Sequence, residues 1–238
     1  MSSPGNVADP PNQLVVEWAL CGIAFAAARF IPVPIVDDLV RDRAWRFAVQ
    51  RTLKAHQRTF DDDAVSPLAE FDEDGSGGLR KILAVPRKIL LFPVRKYVAI
   101  FGAVRGVPND VMRVVLIGRT VHHTLEQGRL PDGASADTLR KEADAIQVAY
   151  EAAVKYQDFR LLRGALGDGL SQGRGLTRAA VGFARDSFAR DERPDLKPDD
   201  KVREGAEQVE AVLQRPDVIE ELEQFDRRLD EKLTQPRR

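Results

Sequence analysis

Repeated pairs of cations are the feature of this sequence most able to do chemistry. Arg-Lys followed by two apolar residues occurs three times between Leu79 and Asn109, a stretch with seven cations and no carboxylate. Pairs seven or eight residues apart lie on one side of a helix, close to two turns apart. Such a row of positive charge can bind anionic groups. The cations are Arg80, Lys81, Arg87, Lys88, Arg95, Lys96 and Arg105.

Apolar side chains lie between these cations, and helical spacing would place them on the opposite half of the cylinder. An amphipathic segment of this composition is typical of a surface that contacts both acyl chains and anionic headgroups. Pro86 and Pro93 interrupt the segment, so several short kinked helices fit the pattern as well as one continuous helix does. The predicted contact residues are the seven cations together with Ile89, Leu90, Tyr97 and Phe101.

Three kinds of partner stay open for this basic-apolar segment, which we define as residues 79–105. An anionic lipid surface fits its composition, and so does a hydrophobic and acidic groove on a protein partner. Nucleic acid is disfavoured, because Tyr97 is the ring offered for stacking a base and amide side chains are scarce. A plainer interpretation is that the apolar half is core and the cations pair with the acidic block Asp61–Asp74.

The acidic block ends in a motif that resembles the first part of an EF-hand calcium loop. Asp72, Asp74 and Ser76 stand at ligand positions one, three and five of such a loop. The bidentate glutamate that the family has at position twelve is replaced by Leu83, so the ligand set is incomplete. We therefore predict an acidic, glycine-rich linker over 61–78 rather than a metal site.

Histidine and cysteine are too few and too scattered to predict a zinc site. His122 and Glu126 are four residues apart on a predicted helix and share a face. His56 is distant in the sequence, and Cys21 lies in an apolar run. Zinc sites take three or four protein ligands. We interpret His122 and His123 as surface histidines of that helix.

The glycine-rich run from Gly164 to Gly175 predicts a mobile joint between helices. It lacks the Gly-Lys-Ser/Thr ending of a phosphate-binding loop, and no predicted strand precedes it. Ser171 has no neighbouring histidine or aspartate pattern that would activate it as a nucleophile. With no catalytic constellation in the sequence, we favour a non-enzymatic role and predict no cofactor.

The elements that must position these residues are helices. Apolar residues recur at three- and four-residue spacing, and period-two alternation is scarce. The fold class is therefore all-α: a multi-helix bundle of amphipathic helices with proline-kinked hairpins and no substantial sheet. The first helix is apolar on nearly every face, which predicts burial. Helices are expected at 14–30, 36–59, 109–127, 137–154, 177–189, 202–213 and 218–233. Asn109 or Asp110 is expected to cap the third of these, and Gly128 to follow it.

Composition divides the chain into three regions. Residues 1–13 are predicted to be disordered, 14–190 to form a helical core domain with the linker 61–78 inside it, and 191–238 to carry an acidic linker and C-terminal helices. The amphipathic helix Asp217–Leu233 is expected to dock on the protein's own core or on another subunit, which leaves self-association open.

The charge and the cysteine content limit where the protein can be located and what kind of partner it can have. The net charge of −1 at pH 7 hides strong segregation, so any contact with a polyanion must be local. One cysteine and no basic leader suit a reducing compartment. The sequence thus predicts a cytoplasmic protein, peripheral on the inner face of a membrane through the basic-apolar segment.

Overall fold

Helix is the regular secondary structure of the described part of the chain. The computed structural model describes residues 9–32, 34–70, 101–173, 175–189 and 196–235, and this part contains nine α-helices and no strand. The all-α prediction is confirmed. The helices are α1 Asn12–Ala28, α2 Pro34–Ala55, α3 Ser66–Ala69, α4 Val107–Glu126, α5 Ala136–Tyr156, α6 Arg160–Ser171, α7 Leu176–Ala184, α8 Asp200–Leu213 and α9 Pro216–Thr234.

Helix α1 is the centre of the bundle. Its residues from Trp18 to Ala28 are all buried, which confirms that this apolar helix is enclosed. Helices α2, α4, α7 and α8 pack around it. The small side chains of α1 permit this packing, because the backbones of neighbouring helices can then approach that of α1 closely. A Cβ atom added at Gly22 would lie 3.1 Å from the Cα atom of Val111 in α4.

One junction fixes α1, α2 and α4 together. The indole Nε1 of Trp18 donates a hydrogen bond of 2.8 Å to Oγ1 of Thr52 in α2. The α4 backbone passes directly beside the same ring at Gly118. A Cβ atom added at Gly118 would lie 2.5 Å from Nε1 of Trp18. Glycine at position 118 is therefore what allows α4 to pack against the indole.

The C-terminal helices are part of the same core. Helix α8 packs on α1, α6 and α7, and α9 packs chiefly on α5. The apolar side of α9 is buried there, at Val218, Leu222, Phe225 and Leu229. The sequence left open whether α9 docks on the protein's own core or on another subunit. In the structure, the protein's own core covers the apolar side of α9. The proposed division into three regions stays a prediction.

The predicted glycine joint is wrong over most of its length. Helix α6 runs from Arg160 to Ser171 straight through Gly164, Gly167 and Gly169. Its buried leucines supply the packing that outweighs the poor helix propensity of glycine. The chain turns only after Ser171, and Gly175 has a φ of +80° there.

Helix α4 begins before both Asn109 and Asp110, the two residues predicted to cap it. Its first residue is Val107, preceded by Gly106 at a φ of +98°. Pro108 lies in the first turn, where a missing N–H group costs no hydrogen bond. At the other end, Gly128 follows the helix with a φ of +71°, as the sequence predicted. None of the described helices has both the length and the hydropathy needed to cross a bilayer.

Two glycine substitutions within helices should have opposite effects on stability. Gly118→Ala should lower the free energy of unfolding by about 1–3 kcal/mol, because the added methyl group meets a buried indole. Gly164→Ala should raise it by up to about 1 kcal/mol, because the added methyl group meets no atom within 4 Å and improves helix propensity. Urea unfolding followed by circular dichroism measures both. Equal effects at the two positions would contradict the packing of α4 on Trp18.

Candidate functional site

Most of the predicted contact residues lie outside the described part of the chain. This holds for six of the seven cations, for Ile89, Leu90 and Tyr97, and for the partial calcium-loop residues Asp72, Asp74 and Ser76. Phe101 and Arg105 are described, at the C-terminal end of the basic-apolar segment. They behave differently from each other.

Phe101 is a core residue, and its prediction as a contact residue is wrong. Its side chain is 1% exposed, and its ring centroid lies 5.8 Å from that of Phe30. The next residue, Gly102, is pressed against α6, where an added Cβ atom would lie 2.3 Å from the carbonyl oxygen of Gly167. At Phe101 and Gly102, the basic-apolar segment is therefore part of the core.

Arg105 is exposed, as a contact residue should be. Its backbone carbonyl accepts a hydrogen bond of 3.4 Å from Nη1 of Arg29. Arg29 in turn pairs with the carboxylate of Asp110. No carboxylate of the described residues forms an ion pair with the guanidinium of Arg105, so its charge is presented outward.

A second polar cluster, which we call the histidine pair, consists of His56 and His122. Nε2 of His56 lies 2.8 Å from Nδ1 of His122, and Nδ1 of His56 lies 3.4 Å from a carboxylate oxygen of Glu126. His122 and His123 are buried, so their prediction as surface residues is wrong. The reason is that other parts of the chain cover α4 on two sides. His56, which directly follows α2, is the polar partner of His122, and Asp230 of α9 is the partner of His123.

The partners of the pair indicate its protonation. A proton on Nδ1 of His56 faces Glu126, which leaves Nε2 as the acceptor of the N–H group of His122. The hydrogen bonds of His56 are thus satisfied when its ring is neutral. Burial, which disfavours the charged ring, and the neighbouring His122 lower the pKa of His56 below its ordinary value.

His123 points the other way and joins α4 to α9. Its Nε2 lies 2.9 Å from Oδ1 of Asp230, and Gln127 donates a hydrogen bond of 2.8 Å to the same oxygen. Burial opposes ionisation of Asp230, but these hydrogen bonds from His123 and Gln127 lower its pKa. One turn earlier, Arg119 donates hydrogen bonds from Nε and Nη2 to the two carboxylate oxygens of Asp226. These contacts fix the orientation of α9.

The clusters do not form a metal centre. In the described ranges, no group of three or more histidine, cysteine, aspartate or glutamate side chains is placed to hold a metal ion. Cys21 is buried within α1, and burial raises the pKa of its thiol. The sequence could not reveal the histidine pair, because its members are 66 residues apart and no local pattern links them.

Comparison of the chain with protein-family models, with curated proteins and with solved structures finds no match. The assignment of function therefore has to come from the chain's own residues.

Acidification should destabilise the protein through the histidine pair. The folded state holds His56 neutral at pH values where an unfolded histidine, with a pKa near 6.5, already binds a proton. The unfolded state then binds more protons, so the free energy of unfolding should fall as the pH drops through about 6.5. His56→Gln removes this group and should make the pH dependence between pH 7.5 and 5.5 shallower. Urea unfolding across this range measures it.

A matched control is Lys54→Gln, an exposed change near the end of the same helix, which should leave the pH dependence unchanged. Apart from the substituted residue, the wild-type protein and the two variants share all their titrating groups. An equally steep loss of stability in the His56→Gln protein would contradict the role given to the pair.

Proposed function

We propose that this protein associates peripherally with an anionic membrane surface through the basic-apolar segment, residues 79–105. The observation that carries the proposal is the charge of this stretch, which has seven cations and no carboxylate in a chain of net charge −1. Attraction to a polyanion is thus concentrated in one segment. On this proposal the protein is cytoplasmic and works at the inner face of the membrane without being an enzyme.

The described end of the segment supports the proposal. Phe101 and Gly102 hold the chain against the bundle, and Arg105 follows with its side chain exposed. Cations N-terminal to Phe101 are thereby attached to a fixed point of a folded body. The contact residues of the proposal are the seven cations with Ile89, Leu90 and Tyr97, and Phe101 is the anchor.

The expected energy is sufficient for reversible binding. A lysine or arginine close to an anionic leaflet contributes about 1 kcal/mol. Six cations in three pairs therefore contribute several kcal/mol, against the cost of ordering the segment. Because this attraction is electrostatic, salt should weaken it.

A second candidate is a helical scaffold or adaptor that binds a protein partner. The notion that α9 offers its apolar side to another subunit has less support, since that side is buried against α5. Exposed apolar residues of α5 favour a different surface for a partner. A nucleic-acid role has no further support.

Binding to vesicles tests the proposal. The wild-type chain should co-sediment with phosphatidylglycerol-containing vesicles, release them as salt is raised, and ignore phosphatidylcholine vesicles. Changing Arg87, Lys88, Arg95 and Lys96 to glutamate should weaken vesicle binding at least about 100-fold. Each lost cation removes about 1 kcal/mol of attraction, and each new glutamate is repelled by the anionic surface.

The control reverses four exposed cations elsewhere, at Lys54, Arg140, Arg178 and Arg203, with the same change in net charge. This protein should bind vesicles with at most a few-fold loss. Equal losses in both proteins would mean that total charge, and not the segment, drives binding. A gel shift with single-stranded RNA that survives when vesicle binding is absent would reject the membrane in favour of nucleic acid.

A further inference from the structure

An apolar stripe on α5 is left uncovered by the bundle. Val148 and Tyr156 are 60% and 63% exposed, more than any other large hydrophobic side chain in the described residues. They lie two turns apart on the same helix, and Ala152 lies between them at four-residue spacing. Exposed hydrophobic residues are common singly, but an aligned set on one helix face indicates a contact surface.

The C-terminal end of α9 turns this stripe into a groove. Val148, Ala145 and Ala152 of α5 line one side, and Lys232 and Leu233 of α9 line the other. The cleft has a volume of about 710 Å³ and is open to solvent along its length. Alanines keep its floor low, so the groove is concave between the larger side chains at its edges.

Uncompensated positive charge lies next to the groove, around the ring of Tyr156. Lys155 and Lys232 each hold their ammonium group near the Tyr156 ring, 5.6 and 5.7 Å from its centroid. Neither forms an ion pair with a carboxylate of the described residues. The other cations of the groove are neutralised: Arg129 pairs with Glu142 and Lys141 pairs with Asp137, at 2.6 and 2.7 Å.

We propose that this groove, which we call the α5–α9 groove, binds an amphipathic acidic helix of a partner protein. The apolar side of that helix would cover Val148 and the alanines, and its carboxylates would pair with Lys155 and Lys232. Helices bind in such grooves through apolar residues at three- and four-residue spacing. From Thr138 to Ala152 the groove spans about 21 Å at 1.5 Å per residue, which accommodates about four helical turns.

The concave shape and the charge favour this occupant over two others. A lipid surface is flat, so it would touch the rims of the groove and leave the alanine floor uncovered. A second copy of the chain would bring Lys155 and Lys232 of both molecules to the same face, and like charges across an interface are unfavourable. An acidic helix fills the floor and neutralises both lysines.

The probe is a fluorescein-labelled peptide of about 16 residues, with leucine on one helical face and glutamate on the other. Fluorescence anisotropy with the full chain should give a micromolar dissociation constant. Lys155→Glu with Lys232→Glu should weaken binding at least 10-fold, and Val148→Asp should do the same. The pair Lys54→Glu with Arg203→Glu, equal in charge change, should leave it within twofold. The same peptide with lysine for glutamate should not bind.

Other results would overturn the proposal. Absence of binding, or binding unaffected by the Lys155 and Lys232 changes, contradicts the groove as an acidic-helix site. A dimer in light scattering that Val148→Asp dissociates would assign the face to self-association. Vesicle binding lost on changing Lys155 and Lys232 would assign it to the membrane. The five substituted side chains are exposed or partly exposed, and unchanged melting temperatures would establish that the variants are folded.

Discussion

Enclosure of α1 on all sides is the constraint on which the rest of the structure depends. A helix that is apolar around its whole circumference must be surrounded, and four other helices achieve this by close backbone approach. Gly22 and Gly118 make room at two close contacts between α1 and α4. The polar groups near α1 are then paired at its edges, Glu17 with Arg51 and Arg29 with Asp110.

The outer helices are oriented by polar contacts rather than by apolar burial alone. Arg119 and His123, one turn apart on α4, bind Asp226 and Asp230, also one turn apart on α9. At the other end of α9, the carboxylate of Glu221 accepts a hydrogen bond of 2.9 Å from the first turn of α6. The resulting register of α9 on α5 is what places Lys232 beside Tyr156 and forms the α5–α9 groove.

The sequence predicted the elements with strong local signals and missed those decided by tertiary contacts. The continuous apolar pattern of α1 identified a buried helix, and Gly128 was correctly placed after α4. Helix α6 was missed, because glycine has poor helix propensity and the leucines that stabilise it become buried only in the bundle. Burial of Phe101 and the histidine pair could not be predicted, since each depends on residues distant in the chain.

The two proposed functional surfaces rest on different observations. The basic-apolar segment is argued from composition and from its anchored, described end at Phe101 and Arg105. The α5–α9 groove is argued from exposure, shape and unpaired lysines in the described bundle. Failure of one would therefore leave the other intact, although both would allow the protein to link a partner to an anionic surface.

Hydrogen–deuterium exchange with mass spectrometry, with and without phosphatidylglycerol vesicles, is the decisive test of the proposed contact between residues 79–105 and an anionic membrane. We expect vesicles to slow amide exchange in peptides from 79–100 and to leave α1, α4 and α9 unchanged, with no effect from phosphatidylcholine vesicles. Unchanged exchange in 79–100 while the protein is vesicle-bound, or protection confined to another part of the chain, would contradict it.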